Sequence, residues 1–511
     1  MILAADTMQG PSIAWFELSP LLILLGGGLV LLVAGALTPR WPKGTYAGFT
    51  AAVAGAVTVM SFVLWDDISD DGAQTLVAGA LAFDRFAMFV TITISVAVLL
   101  TSLIADDYLR REQLDGPEIY GLFLMAAIGG VVMGAANDLI VLFLGLEVLS
   151  ISLYVLVASH RRRTASQESG IKYFVLGGFS SAFFLYGIAL IYGGSGSTNY
   201  AEILGSFSSS VQTNRTDAFV LAGIALLLVG LAFKVAAVPF HFWTPDVYQG
   251  APTPVTAFMA SAAKVAAFAG MLRVLNVALP NWRDDWRPAI WLLAIVSVVV
   301  GSMLAVVQTD VKRMLAYSSI SHAGFILVGV EASGHTAGEP GLGLGVSAAL
   351  LYLLLYAVLV LGTFAVVTLV ARTGDGATDI GAFRGLGSSR PALALAMTVM
   401  LLAQAGVPLT SGFIAKVSVI EAAVEARSYA LAIVAMVASV IAAFLYLRIM
   451  VSMWISEPES GDDDREVVRM PLSTGLAITT CVGFTLLVGF FPGWLIDASK
   501  HATIVVQSLA P

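Results

Sequence analysis

Stretches of roughly 20 consecutive apolar residues recur from one end of the chain to the other, each long enough to cross about 30 Å of hydrocarbon as a helix. They fall at 18–36, 45–65, 84–104, 119–136, 138–158, 170–193, 218–237, 254–278, 288–308, 312–332, 342–371, 391–426, 428–454 and 472–491. Helices satisfy their own backbone polar groups, so such a series folds as an all-α integral membrane protein of about fourteen transmembrane helices. Little sequence is left over for a sizeable soluble domain. Hydrophobic residues make up 58% of the 511 and charged residues 12%, where soluble domains run nearer half and a quarter.

Lys and Arg separate between alternate loops. One set holds Arg40, Lys43, Arg110, Arg111, Arg161, Arg162, Arg163, Lys312, Arg313, Arg372, Arg384, Arg390, Arg465 and Arg469; the other holds Arg85, Arg215, Arg283, Arg287, Arg427 and Lys500. By the positive-inside rule the first set faces the cytoplasm. With fourteen crossings, both termini then lie on the opposite side, in a bacterial inner membrane. Met1–Glu17 carries Asp6 and Glu17 in place of a basic n-region, so the first span is expected to be retained. The acidic run 457–466 reads as a solvated loop on the inner side, and 193–217 as the longest outer loop. A formal charge of −8 without a basic tract gives no footprint for nucleic acid. A single cysteine, Cys481, excludes an internal disulfide or a cysteine-rich iron–sulfur or zinc pattern.

Against this background, the ionisable residues inside spans need a reason. Each costs at least about 2.5–3.5 kcal/mol at the bilayer centre. Glu147 lies nine residues after Asp138, about 13 Å along a helix at 1.5 Å per residue. Lys264 lies ten residues after Pro254 and is similarly deep, with Lys234 and Lys416 in comparable settings. Lys172 is nearer the inner face, where snorkelling or a structural ion pair competes with a place in a path. Burial disfavours an ammonium and a neighbouring carboxylate favours it, so a group balanced between the two can load and release a proton. Chains of such groups mark ion or proton pathways.

Proline interrupts two of these spans. Pro239 follows Lys234 by five residues, and Pro408 precedes Lys416 by eight. A proline removes a backbone donor and clashes with the preceding turn. Interrupted helices in corresponding places of two halves point to an inverted-repeat transporter and its ion site. His241, just after the first break, and His322, about eleven residues into its span, suit either proton relay near neutral pH or helix packing.

The segment FKVAAVPFHFWTPDVYQGAPTPVTAFMASAAKVA, residues 233–266, strongly resembles the signature of the antiporter-like subunits of respiratory complex I, and YQGAPTPVTAF looks most like subunit N. LGLEVLSISLYVL around Glu147, IKYF around Lys172, VKRMLAYSSISHAGF and GVPLTSGFIAKV extend the resemblance over nearly the whole chain. It implies two inverted five-helix repeats, 119–278 and 288–454, each with one broken helix, after three N-terminal helices (1–110) and before a last one (472–491), in a single membrane domain. It also implies roles. Glu147 and Lys234 match the paired glutamate and lysine, Lys264 the central lysine, Lys416 the terminal lysine, Lys172 the sixth-helix lysine and His322 a relay histidine. Lysine at 416 and the short stretch after the last span set the chain apart from the sister subunits. The implied function is proton translocation in NADH–quinone oxidoreductase. This chain would hold no cofactor; NADH, FMN, iron–sulfur clusters and quinone would belong to partner subunits, and its neighbours would be other membrane subunits and lipid. A subunit of a multisubunit cation/proton antiporter is the alternative, and a membrane scaffold a third.

Overall fold

A computed structural model describes residues 13–38, 41–208, 214–335, 343–371, 373–456 and 470–502. Asp6, the acidic run 457–466, and Arg40, Arg372, Arg465 and Arg469 fall outside them. Among the described residues, thirteen helices are long and apolar enough to cross a membrane. The remaining expected crossing, 391–426, is two half-helices, Pro391–Ala405 and Ser411–Glu425, each too short to span alone.

Three of the spanning helices begin where an aspartate supplies a cap. Asp84, Asp138 and Asp310 each accept hydrogen bonds from backbone N–H groups in the first turn of the helices Arg85–Arg111, Leu139–Val157 and Val311–Ser333. Those first-turn donors have no partner within the helix, and a short acidic side chain meets them while its charge suits the helix N-terminus. Proline opens the helices Pro117–Ala135 and Pro391–Ala405, where its missing N–H costs nothing.

The loops gather at two faces. On one, a small hairpin pairs Gln74–Leu76 with Leu81–Phe83, and isolated bridges join Leu81 to Ala136 and Asp138 to Asn199. On the other, Asp310 bridges Asp379. These groupings follow the alternation read from the cations. The stretch 193–217, expected as the longest outer loop, carries helix over most of its described residues: Thr164–Ser195 ends just inside it, Tyr200–Ser208 forms a short helix, and Asn214–Val235 begins before its close. Tyr200 and Ile203 are fully buried, and an apolar anchor of this kind folds a Gly/Ser-rich connection back onto the bundle.

Three helices make the centre. Thr253–Ala278 and Leu344–Val370 are buried along their whole apolar windows, and Val311–Ser333 nearly so, whereas Ser19–Leu37 and Thr164–Ser195 bury only about a third of theirs or less. The central helices are therefore shielded from lipid by the others, and polar residues on them face protein.

At the face opposite the hairpin, Asp375 is wholly buried and accepts from Arg163 (2.8 Å), Thr253 (2.8 Å), Tyr108 (3.1 Å) and Lys312 (3.3 Å). Burial alone would raise its carboxyl, but the Lys312 and Arg163 cations and the two hydroxyls hold it below the ordinary carboxylate value. A depressed carboxyl contributes stability above its unfolded value near about 3.9 and loses it only as pH falls through the folded one. Asp375→Asn should therefore destabilise the protein equally at pH 6 and pH 8, by about 3–5 kcal/mol, because it leaves buried cations uncompensated. Thermal unfolding in detergent at the two pH values measures this.

Candidate proton-conducting site

The two breaks set the geometry. The helix carrying Lys234 ends at Val235, and Ala236 takes a left-handed conformation (φ 63°) before the chain resumes as Trp243–Gly250. The second break starts at Gly406 (φ 88°), with Leu409 also left-handed (φ 66°). Both prolines thus lie after the helix end. The reversal itself is made at Ala236 and Gly406, the latter a common glycine C-cap with proline soon after.

Lys234 is buried and donates to Ser150 Oγ (2.8 Å) and Tyr173 OH (3.0 Å), with its ammonium 5.3 Å from the Tyr173 ring centre. Glu147, half-buried, accepts from Ser181 (2.5 Å) and acts on Lys234 through space and not by direct contact. A cavity of about 10 Å³ lies against Lys234, lined also by Ser150, Ser180 and Ser181. It is roughly the size one water requires.

Lys264 sits at the end of a widened turn, Met259–Ala263, where the hydrogen bonds run five residues apart, and a second such turn covers Val274–Ala278. Its ammonium donates to the Ser319 carbonyl and hydroxyl, both at 2.6 Å, and lies 5.4 Å from the Tyr356 ring. Widened turns of this kind often accompany functional sites, and no residue pattern in the sequence announces them.

Between Lys234 and Lys264 runs an aromatic bridge supplied by the short helix after the first break. Tyr173 stacks on Trp243 (4.7 Å), Trp243 meets Tyr248 edge-on (6.2 Å), and Tyr248 adjoins Ser319. The break therefore inserts a polar-tipped aromatic layer between two lysines.

His322 is buried in the central helix. Its Nδ1 is 2.7 Å from Tyr352 OH and its Nε2 3.1 Å from Tyr446 OH, which also meets Ser318 Oγ (2.6 Å). Lys264 and Lys416 both lie within electrostatic range of it. Lys416 donates to the Ala405 carbonyl (2.8 Å) and Ser439 Oγ (2.7 Å) and lies 5.0 Å from the Phe325 ring. That carbonyl belongs to the last helical residue before the break. A side chain at 406 would crowd the lysine as well as strain the backbone, since a Cβ there would approach Lys416 Cδ to 2.8 Å.

Glu147, Lys234, Lys264, His322 and Lys416 thus form one row with their hydroxyl and aromatic partners. Lys172 stands apart. It pairs with Glu168 (2.7 Å) and Asp246 (2.9 Å), and Asp246 also holds Arg313 (2.7 Å), tying three helical elements together on the partly exposed periphery. His241 is buried against Phe242, with Nδ1 lacking a protein partner.

A common pattern emerges at the three lysines of the row, Lys234, Lys264 and Lys416, and not at the equally buried Lys312, which faces Asp375. Each is held by neutral oxygens and one aromatic face, not by a carboxylate. An amine so held can surrender its proton without leaving an orphaned anion, and an aromatic face still favours the ammonium by about 0.5–2 kcal/mol. Arg273 follows the opposite pattern. Unremarked in the sequence, it is fully buried, binds both oxygens of Asp84 (2.7 and 2.8 Å), donates to the Gly134 carbonyl (2.9 Å) and lies over Phe86. This is a fixed structural pair. Among the described residues no group of three or more His, Cys, Asp or Glu is placed to hold a metal ion.

Residues 136–442 match the family described as NADH:quinone oxidoreductase/Mrp antiporter, transmembrane. The NADH-quinone oxidoreductase subunit N 3 of Streptomyces griseus is 40% identical over 546 aligned positions, covering 98% of this chain and 96% of its own. A chain of respiratory complex I from Thermus thermophilus superimposes with a TM-score of 0.77 at 31% identity, over 94% of this chain and 98% of that one. A chain of the Mrp complex from Dietzia sp. gives 0.82 over 97% and 99%, but at 21% identity it speaks for the fold alone.

Proposed function

The chain belongs to the NADH:quinone oxidoreductase/Mrp antiporter family, and on that footing we propose that its buried row carries protons across the membrane. It is an antiporter-like membrane subunit of the NADH–quinone oxidoreductase class, working among other membrane subunits of a respiratory assembly. The observation that carries the reading is the holding of Lys234, Lys264 and Lys416 by hydroxyls and carbonyls in a buried series, with His322 in electrostatic range of the last two.

Lys234, biased by Glu147 through space, exchanges a proton with Lys264 by way of Tyr173, Tyr248 and Ser319. From Lys264 the path continues past His322 and its tyrosines to Lys416 and outward. Redox chemistry, with NADH, FMN, iron–sulfur clusters and quinone, belongs to partner subunits. Lys172 serves as a surface tie beside this path.

The ten central crossings divide into two sets of five. In the first, Pro117–Ala135 to Thr253–Ala278, the fourth member is the one broken after Val235; in the second, Arg283–Val307 to Tyr429–Trp454, the fourth is broken after Ala405. An odd number per set makes the second begin from the opposite face, which supports inverted repeats. The cation asymmetry supports a bacterial inner membrane location with both termini outside.

In membrane vesicles holding the assembled complex, Lys234→Ala should lower NADH-driven acidification, followed with a pH-sensitive dye, at least about tenfold. Normal acidification at wild-type levels of assembled complex would remove Lys234 from the path. Isolation of the chain with quinone-reducing, iron–sulfur-bearing partners tests the assembly, whereas sodium-dependent transport without NADH-linked activity would favour a cation/proton antiporter.

A further inference from the structure

A cavity of about 870 Å³ opens at the face that carries the Asp375 cluster, between the segment 112–115, the start of Pro117–Ala135, the end of Leu139–Val157 and the first turns of Thr164–Ser195. Its polar wall includes Asp115, Glu118 and His160, and its apolar wall includes Val155 and Phe174. One residue, Tyr154, lines both this cavity and the small one around Ser150, Ser181 and Lys234.

The placement of Tyr154 is specific. Its ring stands edge-on to Tyr173 (4.9 Å), whose hydroxyl binds Lys234, and edge-on to Phe174 (5.5 Å). Its hydroxyl lies beside Ser150, which accepts from Lys234 at 2.8 Å. It rests in a notch that exists because residue 177 has no side chain: a Cβ on Gly177 would come within 2.1 Å of the Tyr154 oxygen. Two neighbouring helices therefore agree on one position for this hydroxyl, at the junction of a wide polar cavity and a single-water cavity.

We propose that the wide cavity is the intake for the proton path and that the Tyr154 hydroxyl is the positioned link between it and Lys234. This rests on the conducting role proposed above and names its upstream end. The transfer is concerted. The Tyr154 oxygen takes a proton from a hydronium ion in the wide cavity, which is left as water, as it passes its own to Ser150, and Ser150 passes its own to the neutral Lys234 amine. Both hydroxyls end as they began, and the amine ends as an ammonium. Asp115 suits proton collection at the mouth, since burial, together with nearby Asp106, pushes its carboxyl above the ordinary value.

The test uses the assembled complex in membrane vesicles, with acidification expressed per assembled complex. Tyr154→Phe keeps the ring and its packing and removes only the oxygen. Gly177→Ala keeps the tyrosine and displaces the same oxygen. Both should lower proton translocation about tenfold or more and change its solvent deuterium isotope effect, which a purely packing role would leave alone. If both variants translocate normally while Lys234→Ala is inactive, the intake lies elsewhere and this proposal fails. If Lys234→Ala is also normal, the conducting role itself fails.

Discussion

Lys264→Ala should assemble into a complex that moves protons at least about tenfold more slowly than the unaltered protein, because a relaying amine is lost from the middle of the path. The structure separates this effect from unfolding. Lys264 has no carboxylate partner; it donates to the Ser319 carbonyl and hydroxyl. Its removal leaves neutral acceptors short of a donor, a penalty of about 1–3 kcal/mol, not a buried uncompensated charge. Lys264→Arg should fail as well. Arginine remains protonated, and its planar fork does not fit a site shaped for one compact ammonium between Ser319 and the Tyr356 ring. Complex abundance on a native gel, read beside vesicle acidification, decides the matter. Normal acidification in either variant at normal abundance would take Lys264 out of the path.

Asp84→Ala should have the reverse phenotype, with the complex failing to accumulate. Asp84 and Arg273 are both wholly inaccessible and joined by two hydrogen bonds. Removing the carboxylate strands a guanidinium in the protein interior, which costs about 3–5 kcal/mol. It also removes the oxygen that caps Arg85–Arg111 through the Ala87 N–H, worth about 1 kcal/mol more. Asp84→Asn keeps a capping oxygen but not the charge and should be nearly as damaging. Replacing both partners together, Asp84→Asn with Arg273→Met, should recover much of the loss, since the stranded charge is gone. Equal abundance of the Asp84→Ala single variant and the unaltered protein would refute the structural reading of this pair.

These two outcomes contrast because the buried cations have different surroundings, and the sequence exposes only part of that difference. Depth along a span is legible: Glu147, Lys234, Lys264 and Lys416 stand out because charge in an apolar run is costly. Some partners are also visible in retrospect. Ser150 follows Glu147 by three residues, hence on the same helix face, and SSISH concentrates Ser318, Ser319, Ser321 and His322 in one helix. Tyr173, Tyr352, Tyr356 and Tyr446 are another matter. A tyrosine in an apolar helix is ordinary, and only packing between distant helices shows that these converge on the lysines and the histidine. Arg273 carries no mark in the sequence for a related reason. Its partner, Asp84, reads as the opening residue of another apolar run, 189 positions away.

Architecture shows the same division. The apolar runs mark the crossings because a hydrophobic length is a local property, and the proline positions mark the two interruptions. The left-handed residues that make each reversal, Ala236 and Gly406, are less apparent, because alanine carries no sign of that backbone state. The hydrogen-bond shift at Met259–Ala263 has no local signature either; it reflects how Thr253–Ala278 is enclosed by its neighbours. Lys172 illustrates the limit of depth arguments. Its place near a span end left two roles open, and the arrangement of Glu168, Asp246 and Arg313 around it binds helices together at the periphery.

The Ala405 carbonyl carries a consequence for how the terminal lysine could be probed. That oxygen is free to receive the Lys416 ammonium because the helix stops there, so one of the cation's two acceptors, beside Ser439 Oγ, is peptide backbone and is untouched by any exchange of side chain at 405. Systematic side-chain scanning would pass over it in silence. Only a change in the course of the chain, through Gly406 or an ester in place of the amide linkage, would reveal that this end of the row is built from the path of the polypeptide itself.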